Sequence, residues 1–93
     1  MWILQSEDAT FRLRPGAIKT VGRAPRADFI LDAALVSRLH CRLTASDENL
    51  EVVDLRSTNG TYVNDKRIDK ARLRTGDRLR VGRVELTVCM ANG

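Results

Sequence analysis

Three clusters in the sequence contain polar residues whose types could bind an oxyanion. Arg23 follows an apolar run, Ser37 and Arg38 precede another, and Thr58 and Asn59 lie among small polar residues at 57–61. An arginine guanidinium can donate two parallel hydrogen bonds to an oxyanion, and hydroxyl and amide groups can each add a donor. The residue types therefore favour an anionic ligand, and the surrounding pattern must show which anion it is and which elements hold the five residues.

Each of these clusters also has an ordinary structural interpretation. The glycine-arginine pair that starts at Gly22 is typical of a strand end with a solvated arginine, and Ser37 suits a capped turn. His40, the single histidine, is of a kind that more often makes a structural hydrogen bond than acts as a catalyst. Asn59 followed by Gly60 is a strong β-hairpin signal that needs no function. Taken singly, none of the clusters identifies a site.

The composition describes one small basic domain. The chain has 93 residues, of which 43% are hydrophobic, so we expect a single domain over residues 1–93. Thirteen arginines and three lysines outweigh 12 acidic residues and leave a net charge of +4. This excess makes nucleic acid a candidate partner, although charge alone does not identify one. The apolar runs are much shorter than the roughly 20 residues of a membrane span, so we expect no membrane partner.

The two cysteines indicate a reducing compartment. Cys41 and Cys89 lie far apart, beside apolar residues and without the paired spacing of a zinc site. We expect two buried, reduced thiols, no metal and no cofactor. The start of the chain also lacks the segments of a signal peptide, so we expect an intracellular protein, either cytoplasmic or nuclear.

Apolar residues alternate with polar ones along most of the chain, which predicts β-strands. Leu39, Cys41 and Leu43 share one side of a strand, for example, while the residues between them share the other. The runs recur about every 8–12 residues and are separated by turn signals such as Asn64-Asp65. We therefore predict an all-β sandwich or barrel with at most one turn of helix, a core over about 2–89 and a tail at 91–93.

The order and the gaps of the three clusters resemble the forkhead-associated (FHA) domain family. Gly-Arg at 22–23 is followed by Ser-Arg-Leu-His at 37–40 and by Ser-Thr-Asn-Gly-Thr at 57–61, and a later pattern around Gly76 and Gly82 also matches. The resemblance covers residues 2–89. It implies an FHA-type sandwich of two antiparallel-rich sheets with about eleven strands. It further implies that loops at one end bind phosphothreonine in an extended peptide, so the expected partner is a phosphorylated protein and not a small-molecule substrate.

The resemblance also implies a role for each of the five polar residues. Arg23, Ser37, Arg38 and Thr58 would contact the phosphate, and Asn59 would contact the main chain of the peptide. These types fit the ligand, because a phosphothreonine carries about −1.5 to −2 charges and three acceptor oxygens. The domain would then mediate protein–protein interaction in signalling.

Three further residues would support the site instead of touching the ligand. By the resemblance, His40 stabilises the loop that presents Ser37, and Gly22 and Gly60 allow the backbone geometry of the two neighbouring loops. Selectivity among peptides would come from loops around 33–36 and 65–70. The apolar pair Leu35-Val36 favours an apolar contact there.

An enzyme is not expected. Ser37, His40 and Asp54 could be written as a catalytic triad. The sequence has no nucleophile elbow, P-loop or metal-ligand pattern around them, however. We therefore assign no catalytic residue and no metal ligand.

Two alternative functions and one narrower resemblance stay open. Seven basic residues between 67 and 83 could bind nucleic acid, but Tyr62 is the one aromatic residue near them and offers no stacking platform. The sheet face could instead support phosphate-independent association, including a homodimer. The opening Met-Trp-Ile-Leu is similar to the amino terminus of nibrin-type DNA-repair proteins, which would place the domain in the DNA-damage response. The Ser-Thr-Asn-Gly-Thr loop is equally typical of bacterial signalling FHA proteins.

Overall fold

All regular secondary structure in the described part of the chain is β-strand. The computed structural model describes residues 1–91, and Asn92 and Gly93 of the predicted tail lie outside them. Ala91, the first residue of that tail, donates its N–H to the carbonyl oxygen of Met1 at 2.8 Å. The strands in the described residues are β1 (Trp2–Gln5), β2 (Thr10–Leu13), β3 (Ile18–Gly22), β4 (Phe29–Ile30), β5 (Cys41–Ala45), β6 (Leu50–Asp54), β7 (Thr61–Val63), β8 (Lys66–Ile68), β9 (Lys70–Leu73), β10 (Arg78–Val81) and β11 (Val84–Met90).

The eleven strands form two sheets. The six-stranded sheet has the order β2-β1-β11-β10-β7-β8, and the five-stranded sheet has the order β4-β3-β5-β6-β9. The strand pairs are antiparallel apart from β3 with β4, which is parallel. This architecture confirms the predicted all-β, antiparallel-rich sandwich. Residues 1–91 contain no helix that is long and apolar enough to span a membrane.

The core lies between the two sheets, as the alternation of residue types predicts. In β10, Leu79 and Val81 are fully buried, whereas Arg78 and Arg80 project from the other face of the same strand. Leu86 in the paired strand β11 is also fully buried. Each inward face is apolar because its side chains leave water only by packing against the opposite sheet.

The two cysteines are free, but only one of them is in the core. Cys41 is fully buried, and this burial, assisted by the charge of Asp54, raises the pKa of its thiol to about 12. Cys89 is half-buried, because it follows the inward-facing Val88 in β11 and therefore lies, opposite Ile3, on the outer face of the six-stranded sheet. The expectation of two buried thiols is therefore correct for Cys41 and wrong for Cys89.

The hairpin signal at Asn59-Gly60 does not form a hairpin. Strand β6 already has β5 and β9 as neighbours, so the chain after Asp54 crosses to the other sheet before β7 begins. The tight hairpin turn is at Asn64-Asp65, between β7 and β8, where φ is +50° and +69° at the two residues. Such a pair of positive φ angles is the type I′ geometry that matches the twist of a two-stranded ribbon.

Three long connections and one turn meet at one end of the sandwich. The β3–β4 loop is bonded to the β4–β5 loop, because Arg23 and Ala24 donate their N–H groups to the carbonyl oxygens of Ser37 and Arg38 at 2.9 and 3.0 Å. The β6–β7 connection joins them through a bond from the Thr58 N–H to the Ser37 hydroxyl oxygen at 3.1 Å. The β10–β11 turn packs against the same β4–β5 loop.

Candidate functional site

The sequence-predicted ligand residues line one open hollow of about 370 Å³ at this end of the sandwich. Arg23 comes from the β3–β4 loop, Ser37 and Arg38 from the β4–β5 loop, and Thr58 and Asn59 from the β6–β7 connection. The hollow is completed by an apolar pair that precedes the serine. The five residues are separated by up to 36 positions in the chain, so the crossing of the loops alone brings them together.

Gly22 lets two backbone segments meet directly beneath the hollow. A Cβ atom at Gly22 would overlap the carbonyl oxygen of Arg38 and would lie 2.9 Å from the Cα of Leu39. Both obstacles are backbone atoms, which cannot swing aside as the end of a side chain can. The residue therefore has to be glycine for Arg23 and Arg38 to lie next to each other.

His40 joins the β4–β5 loop to the β6–β7 connection from inside the protein. Its ring is fully buried, its Nδ1 accepts the N–H of Ser37 at 3.0 Å, and its Nε2 lies 2.8 Å from the carbonyl oxygen of Gly60. Because Nδ1 accepts, the ring proton of the neutral histidine lies on Nε2 and is donated to Gly60. One side chain thus fixes the backbone at both loops that carry the hydroxyl groups.

Ser37 and Thr58 are connected by a bond that orients the serine hydroxyl. The Ser37 oxygen accepts the Thr58 N–H, so its own proton is left for a second acceptor. From the sequence, either the hydroxyl or the N–H of Thr58 is a candidate donor to a ligand. The structure uses that N–H within the protein, which leaves the exposed Thr58 hydroxyl for that role.

Asn59 holds the apolar edge of the hollow. Its Nδ2 donates to the carbonyl oxygen of Leu35 at 3.2 Å, and Leu35 has a φ of +70° and is 45% exposed. Gly82 supports the same segment from below, because a Cβ there would lie 2.8 Å from the carbonyl carbon and oxygen of Leu35. The resemblance singled out Gly82 only as part of a pattern, and its packing role could not be read from the sequence.

Asp54, which the sequence suggests only as a member of a catalytic triad, organises the β6–β7 connection. Asp54 accepts hydrogen bonds from the Ser57 hydroxyl at 2.5 Å, the Ser57 N–H at 3.1 Å and the Thr61 hydroxyl at 2.7 Å. The Ser57 oxygen in turn accepts the Gly60 N–H at 3.0 Å. Ser57, Thr61 and His40 are the buried polar side chains of residues 1–91, and all three make hydrogen bonds to Gly60 or Asp54, at the two ends of this connection.

These hydrogen bonds change the acidity of Asp54. Burial raises the pKa of its carboxyl, but the bonds from Ser57 and Thr61 outweigh burial and hold the net pKa below its usual range. A carboxylate with a lowered pKa stabilises the fold while it is ionised. Its contribution is complete above the unfolded pKa of about 3.9 and is lost as the pH falls through the folded pKa.

Asp54→Asn is accordingly expected to destabilise the domain at neutral pH, and the deficit should shrink on acidification. The free energies of unfolding of both proteins in urea at pH 7 and pH 3 measure this. Asp28 also has a lowered pKa, through bonds from Thr20, but it is common to both proteins and cancels in the difference. An equal deficit at the two pH values would contradict the role given to the Asp54 charge.

The arrangement presents cations without partner carboxylates. Arg23 and Arg38 are exposed at the rim of the hollow. Among residues 1–91, the ion pairs join Lys70 to Glu51 and Arg78 to Asp65, away from the hollow. The two guanidinium groups therefore keep their charge and their donors for a ligand.

The triad that the sequence allows is not formed. Ser37 gives its backbone N–H to the His40 ring, and its hydroxyl is bonded to the Thr58 N–H instead. Asp54 bonds to the serine and threonine beneath the hollow. A nucleophile needs a base within hydrogen-bond reach, and here the base is committed to two backbone groups.

A larger open hollow of about 610 Å³ is lined by the end of β1, the β1–β2 turn and the first part of β11. Its lining includes three carboxylates, from Glu7, Asp8 and Glu85, together with Arg83. Three carboxylates repel a phosphoryl group, so size alone does not make this hollow the better anion site. The smaller hollow, with its unpaired arginines and hydroxyl groups, is the candidate.

The chain is similar in sequence to segments of bacterial proteins that include a transporter and a regulator. It is 40% identical over 86 residues to the ABC transporter ATP-binding/permease protein Rv1747 of Mycobacterium tuberculosis, covering 92% of this chain and 10% of that protein. It is 41% identical over 70 residues to the glycogen accumulation regulator GarA of Mycobacterium tuberculosis, covering 75% of this chain and 43% of that protein. The chain thus spans less than half the length of these relatives.

Solved structures share the whole fold. One, from a structural and functional analysis of phosphothreonine-dependent FHA domain interactions, superposes with a TM-score of 0.90 at 35% identity and covers 98% of this chain and 97% of that one. Another, Mycobacterium tuberculosis EmbR in complex with a low affinity phosphopeptide, gives a TM-score of 0.88 at 32% identity and covers 99% of this chain and 25% of that one. The model of the FHA domain family matches residues 19–82, which include the full hollow and its support. With its two-sheet sandwich, its loop-built hollow and this match, the chain belongs to the FHA domain family.

Proposed function

We propose that this domain binds phosphothreonine in an extended segment of a partner protein and thereby mediates phosphorylation-dependent protein–protein interaction. The observation that carries the proposal is the convergence of two unpaired arginines, two hydroxyl-bearing residues and one amide at a single open hollow. A phosphothreonine needs such a set, since it presents about −1.5 to −2 charges and three acceptor oxygens on one group.

Each residue has a distinct part in this proposal. Arg23 supplies the cation nearest the rigid end of β3, and Arg38 adds a second cation from the facing loop. Ser37 donates the proton that its bond to the Thr58 N–H leaves available, and the Thr58 hydroxyl adds a donor. Asn59 donates one amide hydrogen to the carbonyl oxygen of Leu35, so its second amide hydrogen and its side-chain oxygen are left for the peptide main chain.

The apolar edge of the hollow supplies a reason to prefer threonine over serine. Val36 lines the hollow and is only 3% exposed, and Leu35 lies beside it. Burial of the extra γ-methyl of phosphothreonine against this edge is worth about 0.8 kcal/mol, or roughly a fourfold preference. A larger preference would indicate that the methyl group also fixes the orientation of the phosphate.

The relatives support a role in signalling. GarA is a regulator by name, and the solved neighbours include domains studied for phosphothreonine-dependent interaction and for phosphopeptide binding. A binding module inside the cell fits the two free cysteines of the described chain better than a secreted protein would. This domain determines which phosphorylated partner is bound. It does not determine any other activity of the protein that carries it.

The test is a titration of one peptide in two states. A phosphothreonine peptide with neutral flanks is expected to bind with a dissociation constant near micromolar, since one charged group and a few main-chain bonds are engaged. The unphosphorylated peptide should bind at least about 100-fold more weakly, because two or more charge-assisted hydrogen bonds are lost. Raising the salt concentration should weaken the phosphorylated complex by screening.

Other results would favour the alternative functions. Equal affinity for the two peptides would indicate phosphate-independent association. Tight binding of duplex DNA with no peptide binding would indicate a nucleic-acid module. Sedimentation at the same concentrations separates a homodimer from a monomer that binds peptide.

A further inference from the structure

We infer that Arg67, Tyr62 and Arg80, a row on the outer face of the six-stranded sheet, form a second subsite for acidic side chains that flank the phosphothreonine in the same partner. The inference rests on the proposed function and goes beyond it by assigning a chemistry to the flanking residues. It also gives a role to part of the basic segment at 67–83, for which the phosphate site has no use.

The strand register places these three side chains in one line. Tyr62 of β7 pairs with Arg67 of β8 on one side and with Arg80 of β10 on the other. Directly opposite residues point to the same face of a sheet, and this face is the outer one because Thr61 and Val81 point into the core. Neighbouring strands are about 4.8 Å apart, so the two arginine Cα atoms are roughly 10 Å apart.

The row begins at the phosphate site. A Cβ at Gly60 would lie 2.9 Å from the Nε of Arg67 and 3.2 Å from a ring carbon of Tyr62, so both side chains pack over this glycine. Gly60 directly follows Asn59, which lines the hollow. A peptide that leaves the hollow across Asn59 therefore meets Arg67 first.

The cations in the row are held in place and lack carboxylate partners. The Arg80 guanidinium lies 4.4 Å from the centre of the Tyr62 ring, a cation–π contact, and its Nε is enclosed with no hydrogen-bond partner among the described residues. Glu85 is opposite Arg80 in the register, yet no ion pair within 4.0 Å joins them in residues 1–91. Two positive charges thus stand beside the site without a direct ion-pair partner among residues 1–91.

Acidic side chains of a peptide fit the row better than nucleic acid does. A guanidinium matches a carboxylate through two parallel hydrogen bonds, and an extended peptide advances about 3.3 Å per residue. The roughly 10 Å between the arginines then corresponds to about three peptide residues. A nucleic-acid base would need a free aromatic face, whereas Tyr62 already holds Arg80 on its ring.

The experiment compares the gain in affinity that acidic flanks give. Three phosphothreonine peptides are titrated by calorimetry: one with neutral flanks, one with four glutamates before the phosphothreonine and one with four after it. With the wild-type domain, one of the two acidic peptides is expected to bind about fivefold more tightly than the neutral peptide, as two exposed ion pairs provide. The gain should fall at high salt.

The variants test which residues produce the gain. In R67Q and in R80Q the ratio between the acidic and the neutral peptide should fall to about twofold, because each variant removes one of the two ion pairs. R72Q is the matched control, since Arg72 is an exposed strand arginine in the other sheet, where it lies opposite Glu51 in the strand register. Its ratio should equal that of the wild type.

Several outcomes would overturn the inference. It fails if neither acidic peptide gains affinity, if R67Q and R80Q keep the gain, or if R72Q loses it equally. If duplex DNA abolishes the gain of the acidic peptide and leaves the affinity of the neutral phosphopeptide unchanged, the row would be assigned to nucleic acid. In all of these cases the neutral peptide still depends on its phosphate, whereas a neutral peptide that binds equally with and without phosphate would overturn the proposed function itself.

Discussion

Arg23→Ala should weaken the binding of a phosphothreonine peptide by about 10- to 150-fold, the effect of losing a hydrogen-bonded charge worth about 1.5–3 kcal/mol. The change should leave the fold intact. Arg23 contributes to the structure through its backbone N–H, which bonds to Ser37 and is retained in alanine, while its side chain is exposed. Calorimetric titration of the phosphorylated peptide, with the melting temperature measured in parallel, separates the two effects.

Arg26→Ala is the matched control for this variant. Arg26 is an exposed arginine three positions further along the same loop, and it does not line the hollow. The variant has the same net charge as Arg23→Ala, so any general electrostatic attraction falls equally in the two. If both variants lose affinity to the same extent, the phosphate is attracted by the overall charge and not bound by Arg23.

His40→Ala is expected to destabilise the domain by about 3 kcal/mol or more, because it opens a cavity and leaves one buried and one partly buried backbone group without partners. The groups are the N–H of Ser37 and the carbonyl of Gly60, which the histidine ring joins across the two loops. The loops that carry the hydroxyl groups should then lose their mutual orientation, so phosphopeptide affinity should fall as well. Urea unfolding and peptide titration below the unfolding transition measure the two losses.

Ser37→Ala distinguishes support of the site from contact with the ligand. It keeps the backbone N–H that bonds to His40 and removes only the hydroxyl, with its bond from Thr58. We expect a loss of stability of only about 1 kcal/mol and a clear loss of affinity for the phosphopeptide. In His40→Ala, by contrast, the loss of stability is the larger effect. A His40→Ala domain as stable as the wild type would show that the two ring hydrogen bonds do not hold the loops.

The sandwich itself was predictable from the chain, because β-structure is a local consequence of alternating side chains. Leu79 and Val81 alternate with Arg78 and Arg80, and the structure buries the first pair and projects the second from the other face. The Asn59-Gly60 signal misled for the opposite reason. Whether such a pair forms a hairpin depends on whether the strand before it has a free edge, and β6 has none.

The residues that line the candidate site could be predicted from the sequence, whereas the residues that support or adjoin them could not. The resemblance named Arg23, Ser37, Arg38, Thr58 and Asn59, and the structure brings these five to one hollow. Residues beneath and beside the hollow have no local signature, because an aspartate, a turn glycine or a strand arginine has the same sequence signal anywhere on a β-domain. The examples are Asp54, Gly82 and Arg67.

The chain's own sequence determined the β class and the inward and outward faces of its strands, and its resemblance to the FHA family singled out five polar residues that suit an anion. Only the tertiary structure decided that Asp54 organises a loop instead of a catalytic triad, that Cys89 lies outside the core, and that Arg67 lies against the same end of the sandwich as Asn59. The physical reason is the separation along the chain over which each effect acts. Alternation acts between adjacent residues and is written in the sequence, whereas the packing of His40 against Gly60 joins residues that are neighbours only after the two sheets have met.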